Sequence, residues 1–149
     1  SCGLDSDGKA FCWGVGSYGQ LGDNTATQRN VPTAVITTLL TTGAKFKSIT
    51  TGLRSTCAGD SDGKFYCWGL SQYGAAGDNS NTQRNSPVLV DTSNLTSGAK
   101  FKAASPRPTA SSCAIDSDGK AYCWGYNVHG QLGDNTTTDR WVPTAIINP

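Results

Sequence analysis

Cys113-Ala-Ile-Asp-Ser-Asp-Gly-Lys-Ala-Tyr-Cys-Trp-Gly125 decides the fold, because closely similar stretches occur at Cys2 to Gly14 and at Cys57 to Gly69. In all three, Asp-Ser-Asp-Gly-Lys lies between two short apolar runs, and glycine supplies the positive φ of a type I turn with a following bulge. Each copy reads as a tight β-hairpin. Taking Ser61-Asp62-Gly63 as the loop sets Asp60 opposite Lys64, Gly59 opposite Phe65, Ala58 opposite Tyr66 and Cys57 opposite Cys67. The cysteines then form a non-hydrogen-bonded pair, whose Cα atoms lie about 4.5 Å apart, within reach of a disulfide.

The same register pairs Cys2 with Cys12 and Cys113 with Cys123. It favours these local bonds over the other connectivities of six cysteines, and over zinc, which would need clustered cysteines with further Cys or His ligands. The neighbouring pair offers a check. Leu4 faces Ala10 and Ile115 faces Ala121, but Gly59 faces Phe65, so large and small exchange strands as a shared packing site requires.

The 149 residues are 36% hydrophobic with 18 glycines and no methionine, which suggests β structure with many turns. Net charge is +1, with lysine and arginine scattered, so neither nucleic acid nor an anionic membrane surface is an expected partner. Opposed cysteines fit an oxidising compartment, and the expected location is extracellular or at a cell surface. No apolar run approaches the roughly 20 residues of a membrane span, so no membrane insertion is expected in this segment. Any export signal or anchor is expected outside it.

After each hairpin comes Trp-Gly and a loop with glycines at matching positions: Val15 to Asn24, Leu70 to Asn79 and Tyr126 to Asn135. A polar stretch ending at Pro32, Pro87 or Pro143 follows. It leads into what reads as a short apolar strand, at Val35-Ile36, Val88 to Val90 or Ala145 to Ile147. The connectors then lead to Phe46-Lys-Ser-Ile49 and Phe101-Lys-Ala-Ala104, which read as strands entering the next hairpin. That makes four strands per unit of about 55 residues, with units at approximately 1–45, 46–100 and 101–149. Ser105-Pro-Arg-Pro108 interrupts the third unit and reads as a sheet edge or bulged loop, since proline cannot donate to a ladder.

The hairpin, the Gly130-Gln-Leu-Gly133 loop, Thr138-Asp-Arg140 and Pro143, recurring in order, resemble the regulator of chromosome condensation repeat. The resemblance covers essentially the whole chain. It implies an all-β, β-propeller-type array of three four-stranded blades, the first lacking its entering strand, belonging to a larger or multi-chain propeller. Paired cysteines suit secreted, bacterial-type relatives better than the nuclear members, which act on a small GTPase and chromatin. Gly74-Ala-Ala-Gly77 departs from the loop pattern, as do Pro106 and Pro108, and a distorted blade is expected there.

Chemistry is sparse. Gly14-Val-Gly-Ser-Tyr-Gly19 matches a dinucleotide fingerprint, but the other copies put Ser or Asn at the middle glycine, as a repeat turn does. The Asp-Ser-Asp-Gly turns lack the further ligands of a calcium loop. No metal site, cofactor or catalytic residue is assigned, and no enzyme is expected. Asp23, Asp78 and Asp134 each precede an arginine by six residues, which points to a structural ion pair.

The expected function is non-catalytic recognition or adhesion, with a protein or surface glycan as partner, or copies of the chain itself. Candidate partner-binding residues are the loop tips Tyr18, Tyr73 and His129, and Trp141, which stands where the other units have Asn30 and Ser86. The competing readings are a structural subunit of a surface layer, stalk or fibre, and a secreted inhibitor of an enzyme.

Overall fold

The computed structural model describes residues 1–106 and 110–147. Arg107 and Pro108 fall outside them. Eleven strands among the described residues form three antiparallel sheets. The first is β1 (Cys2–Leu4), β2 (Ala10–Gly14) and β3 (Arg29–Ala34), in that order. The second runs β4 (Phe46–Thr51), β5 (Ser55–Asp60), β6 (Phe65–Gly69) and β7 (Arg84–Leu89). The third runs β8 (Phe101–Pro106), β9 (Ser111–Asp116), β10 (Ala121–Gly125) and β11 (Arg140–Ala145). The entering strands β4 and β8 lie against each other, while β1 packs on β4 and β5 on β8, so the sheets stack as consecutive blades.

At the centre of each blade is the hairpin. Cys57 faces Cys67, Ala58 faces Tyr66 and Gly59 faces Phe65, with Asp60 N–H donating to the Lys64 carbonyl at 2.9 Å. The aspartate opening the turn shapes it: Asp60 Oδ1 accepts the backbone N–H groups of Asp62 and Lys64, both at 2.9 Å, and Asp5 and Asp116 repeat the pattern. This carboxylate ties down a loop that has few backbone partners of its own. Disulfides join Cys2 to Cys12, Cys57 to Cys67 and Cys113 to Cys123, each with Cα atoms 4.1 Å apart. Phe65 folds over its partner, since a Cβ on Gly59 would lie 2.7 Å from the ring. The large-for-small exchange is therefore a packing solution in the second blade. In the third, Ile115 is half exposed.

The outgoing strands differ from the sequence expectation. They begin in the polar stretches at Arg29, Arg84 and Arg140 and end at Ala34, Leu89 and Ala145, so of the expected apolar residues only Val88, Leu89 and Ala145 lie in them. Each is an outer strand of its sheet, held by backbone pairing with one neighbour, so it needs no apolar alternation and tolerates Pro32, Pro87 and Pro143. Val35 and Val90 lie just beyond and drop into the core. Pro106, at the end of the edge strand β8, lies opposite Ser112.

The blades are joined through tryptophan: from their place after each hairpin, Trp13, Trp68 and Trp124 are expected to pack on the next sheet or under its glycine loop, and for Trp68 and Trp124 the direction is the opposite. Trp68 does not reach toward the following unit but lies under the glycine loop of the preceding one, its indole N–H donating to the Gln20 carbonyl at 3.1 Å. The Thr56 hydroxyl donates to the same carbonyl at 2.9 Å. Trp124 and Ser112 repeat this on the Ala75 carbonyl, at 3.0 and 3.1 Å. Gly22 and Gly77, at φ 72° and 71°, let the loops press on the rings, where a Cβ would stand 2.7 and 2.6 Å from the indole nitrogens. The expected distortion at Gly74-Ala-Ala-Gly77 is absent. The joint is made by a backbone carbonyl, so alanine serves as well as glutamine.

Trp68 and Trp124 are 1% and 0% exposed, whereas Trp13 is only half-buried. Trp68→Ala should therefore destabilise the fold by about 3–5 kcal/mol, and Trp13→Ala by less than half as much. Urea denaturation of both variants measures the difference.

Candidate functional site

The loops that follow the hairpins carry the candidate residues, and each is fixed by an ion pair. Arg29 Nε donates to Asp23 Oδ2 at 2.6 Å, Arg84 to Asp78 at 2.7 Å and Arg140 to Asp134 at 2.6 Å. The other carboxylate oxygen accepts the hydroxyl of Thr25, Ser80 or Thr136. Burial raises the pKa of Asp134, but hydrogen bonds from Thr136, Arg140 and Asn127 outweigh it and bring the value down from 3.8 to about 2. Asp23 is lowered in the same way, its partners Thr25 and Arg29 outweighing burial. These groups clamp the loops rather than face a ligand.

The rings at the tips of the first two loops lean on the following unit, and that of the third on its own loop. The Arg54 guanidinium carbon lies 4.9 Å from the centre of the Tyr18 ring. The Tyr73 ring lies 4.7 Å from that of Tyr126, and Tyr126 stands edge-on to His129 at 6.3 Å. Trp141, 43% exposed, has its backbone and indole against Gly74, where a Cβ would come within 2.6 Å of both. Tyr73, His129 and Trp141 therefore gather around the second loop, and Tyr18 stands apart with Arg54. Sequence reasoning missed the role of Tyr126, the ring that links Tyr73 to His129. Its signal was an aromatic residue where the other loops have Val15 and Leu70.

One correspondence is corrected by the joint itself. Asn24 N–H donates to the Asn85 carbonyl at 2.8 Å as Asn79 N–H donates to the Trp141 carbonyl at 3.1 Å, so Asn85 and not Ser86 is the counterpart of Trp141. At the other motifs, the fingerprint-like Gly14 to Gly19 follows β2 into turns rather than a helix, and the first aspartate of each Asp-Ser-Asp-Gly turn is engaged with backbone N–H groups. Among the described residues no group of three or more His, Cys, Asp or Glu is arranged to hold a metal ion.

Comparison with known proteins follows the blades. The model of the regulator of chromosome condensation (RCC1) repeat matches residues 7–58 and 118–149, more than half of the chain. The chain belongs to the RCC1 repeat family. Among curated RCC1-type relatives it is 30% identical to the Ultraviolet-B receptor UVR8 of Arabidopsis thaliana, over 98% of the chain and 32% of that protein. It is 32% identical to the human E3 ubiquitin-protein ligase HERC2, over 87% of the chain and 3% of that protein. The chain thus spans about a third or less of these relatives. Among solved structures, human WBSCR16 superposes with a TM-score of 0.84 at 22% identity, over 99% of the chain and 37% of that one. Prp20p of Saccharomyces cerevisiae gives 0.81 at 23%, over 99% and 36%. The fold is that of RCC1 β-propellers.

The Asp134 clamp predicts an acid limb to the stability profile. Its folded pKa is depressed, so its contribution is complete above 3.8 and is lost as pH falls through about 2. Asp134→Asn should flatten the stability curve between those values, as read by urea denaturation at a series of pH values. An unchanged slope would show that other carboxylates govern acid unfolding.

Proposed function

We propose that this segment is a non-catalytic recognition module that binds a protein partner through the aromatic surface of Tyr73, Tyr126, His129 and Trp141. The observation that carries the reading is that Tyr73, Tyr126 and His129 pack ring to ring across two loops, with the exposed Trp141 of an outer strand against Gly74 beside Tyr73, on a clamped scaffold. Tyrosine and tryptophan give large contact area at little cost in side-chain entropy, and they are enriched at binding hot spots. The family supports a protein partner: the Prp20p structure is described with its binding to Gsp1p and histones, and another with the same protein bound to Kap60. Tyr18, beside Arg54, stands apart from this surface, and a part in binding is proposed for it only as a separate contact.

The setting we propose is extracellular or at a cell surface, as in secreted, bacterial-type members of the family. The support is that all six cysteines are paired, which fits an oxidising compartment. The curated relatives named above are a light receptor and a ubiquitin ligase, and their activities are not assigned to this chain.

Replacing Tyr73, Tyr126 and His129 together with serine should leave the blades folded, because the rings lie outside the two core clusters. It should weaken capture of the native protein partner at least about tenfold, the loss of one hot-spot ring or more. Retained capture by the folded variant would overturn the site. Capture abolished by deglycosylating the partner would replace a protein epitope with a glycan.

A further inference from the structure

Differences between units at equivalent backbone positions show which side chains the blades do not need. The turn between β4 and β5 is held by its backbone: Gly52 N–H donates to the Ser55 carbonyl at 2.8 Å, and the Arg54 carbonyl accepts the Leu70 N–H at 2.8 Å. In the third blade Ala110 takes the place of Arg54, its carbonyl accepting the Tyr126 N–H at 3.1 Å. Gly69 and Gly125 press on these two carbonyls alike, and a Cβ on either would collide with the oxygen. Alanine thus meets the structural requirement, and the long side chain of Arg54 is surplus to it.

That side chain is also uncommitted. Arg29, Arg84 and Arg140 are each bound to an aspartate, whereas among the described residues the Arg54 guanidinium has neither an ion pair nor a hydrogen bond. It is exposed and stands over the Tyr18 ring, with the guanidinium carbon 4.9 Å from the ring centre. The ring is placed by its own loop, since Tyr18 N–H donates to Oε1 of the buried Gln20 at 2.9 Å. Stacking on a ring holds the plane of an arginine and leaves its N–H edges free, ready for two parallel bonds to one carboxylate. Beside it in the same turn, Leu53 is 65% exposed.

We propose that Arg54, on its Tyr18 platform, takes a carboxylate of a protein partner, that of an aspartate or glutamate next to an apolar residue. The local charge selects the group. No lysine stands in residues 15–24 or 51–54, and the one acid there, Asp23, is committed to Arg29. A single positive charge therefore meets a single negative one, and a doubly charged phosphate or sulfate would be left half-compensated. Leu53 supplies the apolar neighbour. The contact rests on the reading of the segment as a recognition module for a protein, but it uses none of Tyr73, Tyr126, His129 or Trp141.

The test is selection from a random heptapeptide library displayed on phage, against the wild-type chain, Arg54→Ala, and the variant with serine at Tyr73, Tyr126 and His129. The wild type should enrich peptides with Asp or Glu beside Leu, Ile, Val or Phe. For one such peptide, replacing the acid by its amide should weaken binding to the wild type about tenfold, the loss of a charge-assisted pair. The same replacement should leave binding to Arg54→Ala unchanged. Arg54→Ala should stay folded, because Ala110 already fills the equivalent position; if it does not, Arg54→Gln takes its place. Enriched peptides without an acid overturn the proposal, as does an acid preference that persists on the Arg54 variant or is lost from the triple serine variant. A triple serine variant that binds every peptide as the wild type does would instead sink the aromatic surface and leave the Arg54 contact standing.

Discussion

Two backbone carbonyls, those of Gln20 and Ala75, each accept an indole N–H and a hydroxyl in a site closed to water, and the stacking of the blades depends on them. Leaving a buried carbonyl or indole without its partner costs about 1–3 kcal/mol, so these groups fix the distance and angle at which one sheet can meet the next. Around them the aromatic core assembles. Phe46 lies edge-on to Tyr66 and beside Trp68, and Phe101 stands in the same relation to Tyr122 and Trp124. Stability in such an array is a sum of nearest-neighbour contributions, and each contribution here has the same chemical content.

The hairpins were legible because their information is local. A turn of fixed length between two runs sets the register, and the register sets which residues face each other, down to Cys57 and Cys67. The outer strands were placed a few residues too late in the chain for the converse reason. An edge strand is specified by backbone bonds to one neighbour, and Arg29–Ala34 carries no period-two pattern to reveal it. The direction of the joint was also out of reach, since whether Trp68 meets the loop before it or after it is decided by how sheets stack. At the aromatic surface the tips could be read from the alignment of the copies. The pairing of Tyr73 with Tyr126 could not, because it crosses from one unit to the next.

The second position of each loop shows what the repeat preserves. Ser71 Oγ accepts the Ala76 N–H at 3.0 Å, and Asn127 Oδ1 accepts the equivalent Leu132 N–H at 2.9 Å while its amide reaches Asp134, Thr136 and Thr138. Gly16 takes another route: the chain draws in until a Cβ there would stand 2.1 Å from the Thr27 carbonyl oxygen. Glycine, serine and asparagine are poor substitutes by hydropathy or volume. They are equivalent here because each lets the same glycine loop close on itself, by a side-chain bond to the loop's own backbone at Ser71 and Asn127 and by close approach to Thr27 at Gly16.

The disulfides share one property that bears on how the array comes apart. Every bridge spans ten residues within a single hairpin, and none crosses from blade to blade. Pulled along its length, the array would part at the indole joints while each hairpin stayed covalently closed. A chain unfolded under oxidising conditions would likewise keep three preformed turns whose registers cannot slip. Refolding would then reduce to pairing the outer strands and docking neighbouring blades, the latter closing contacts 36 to 49 residues apart and so the slower step.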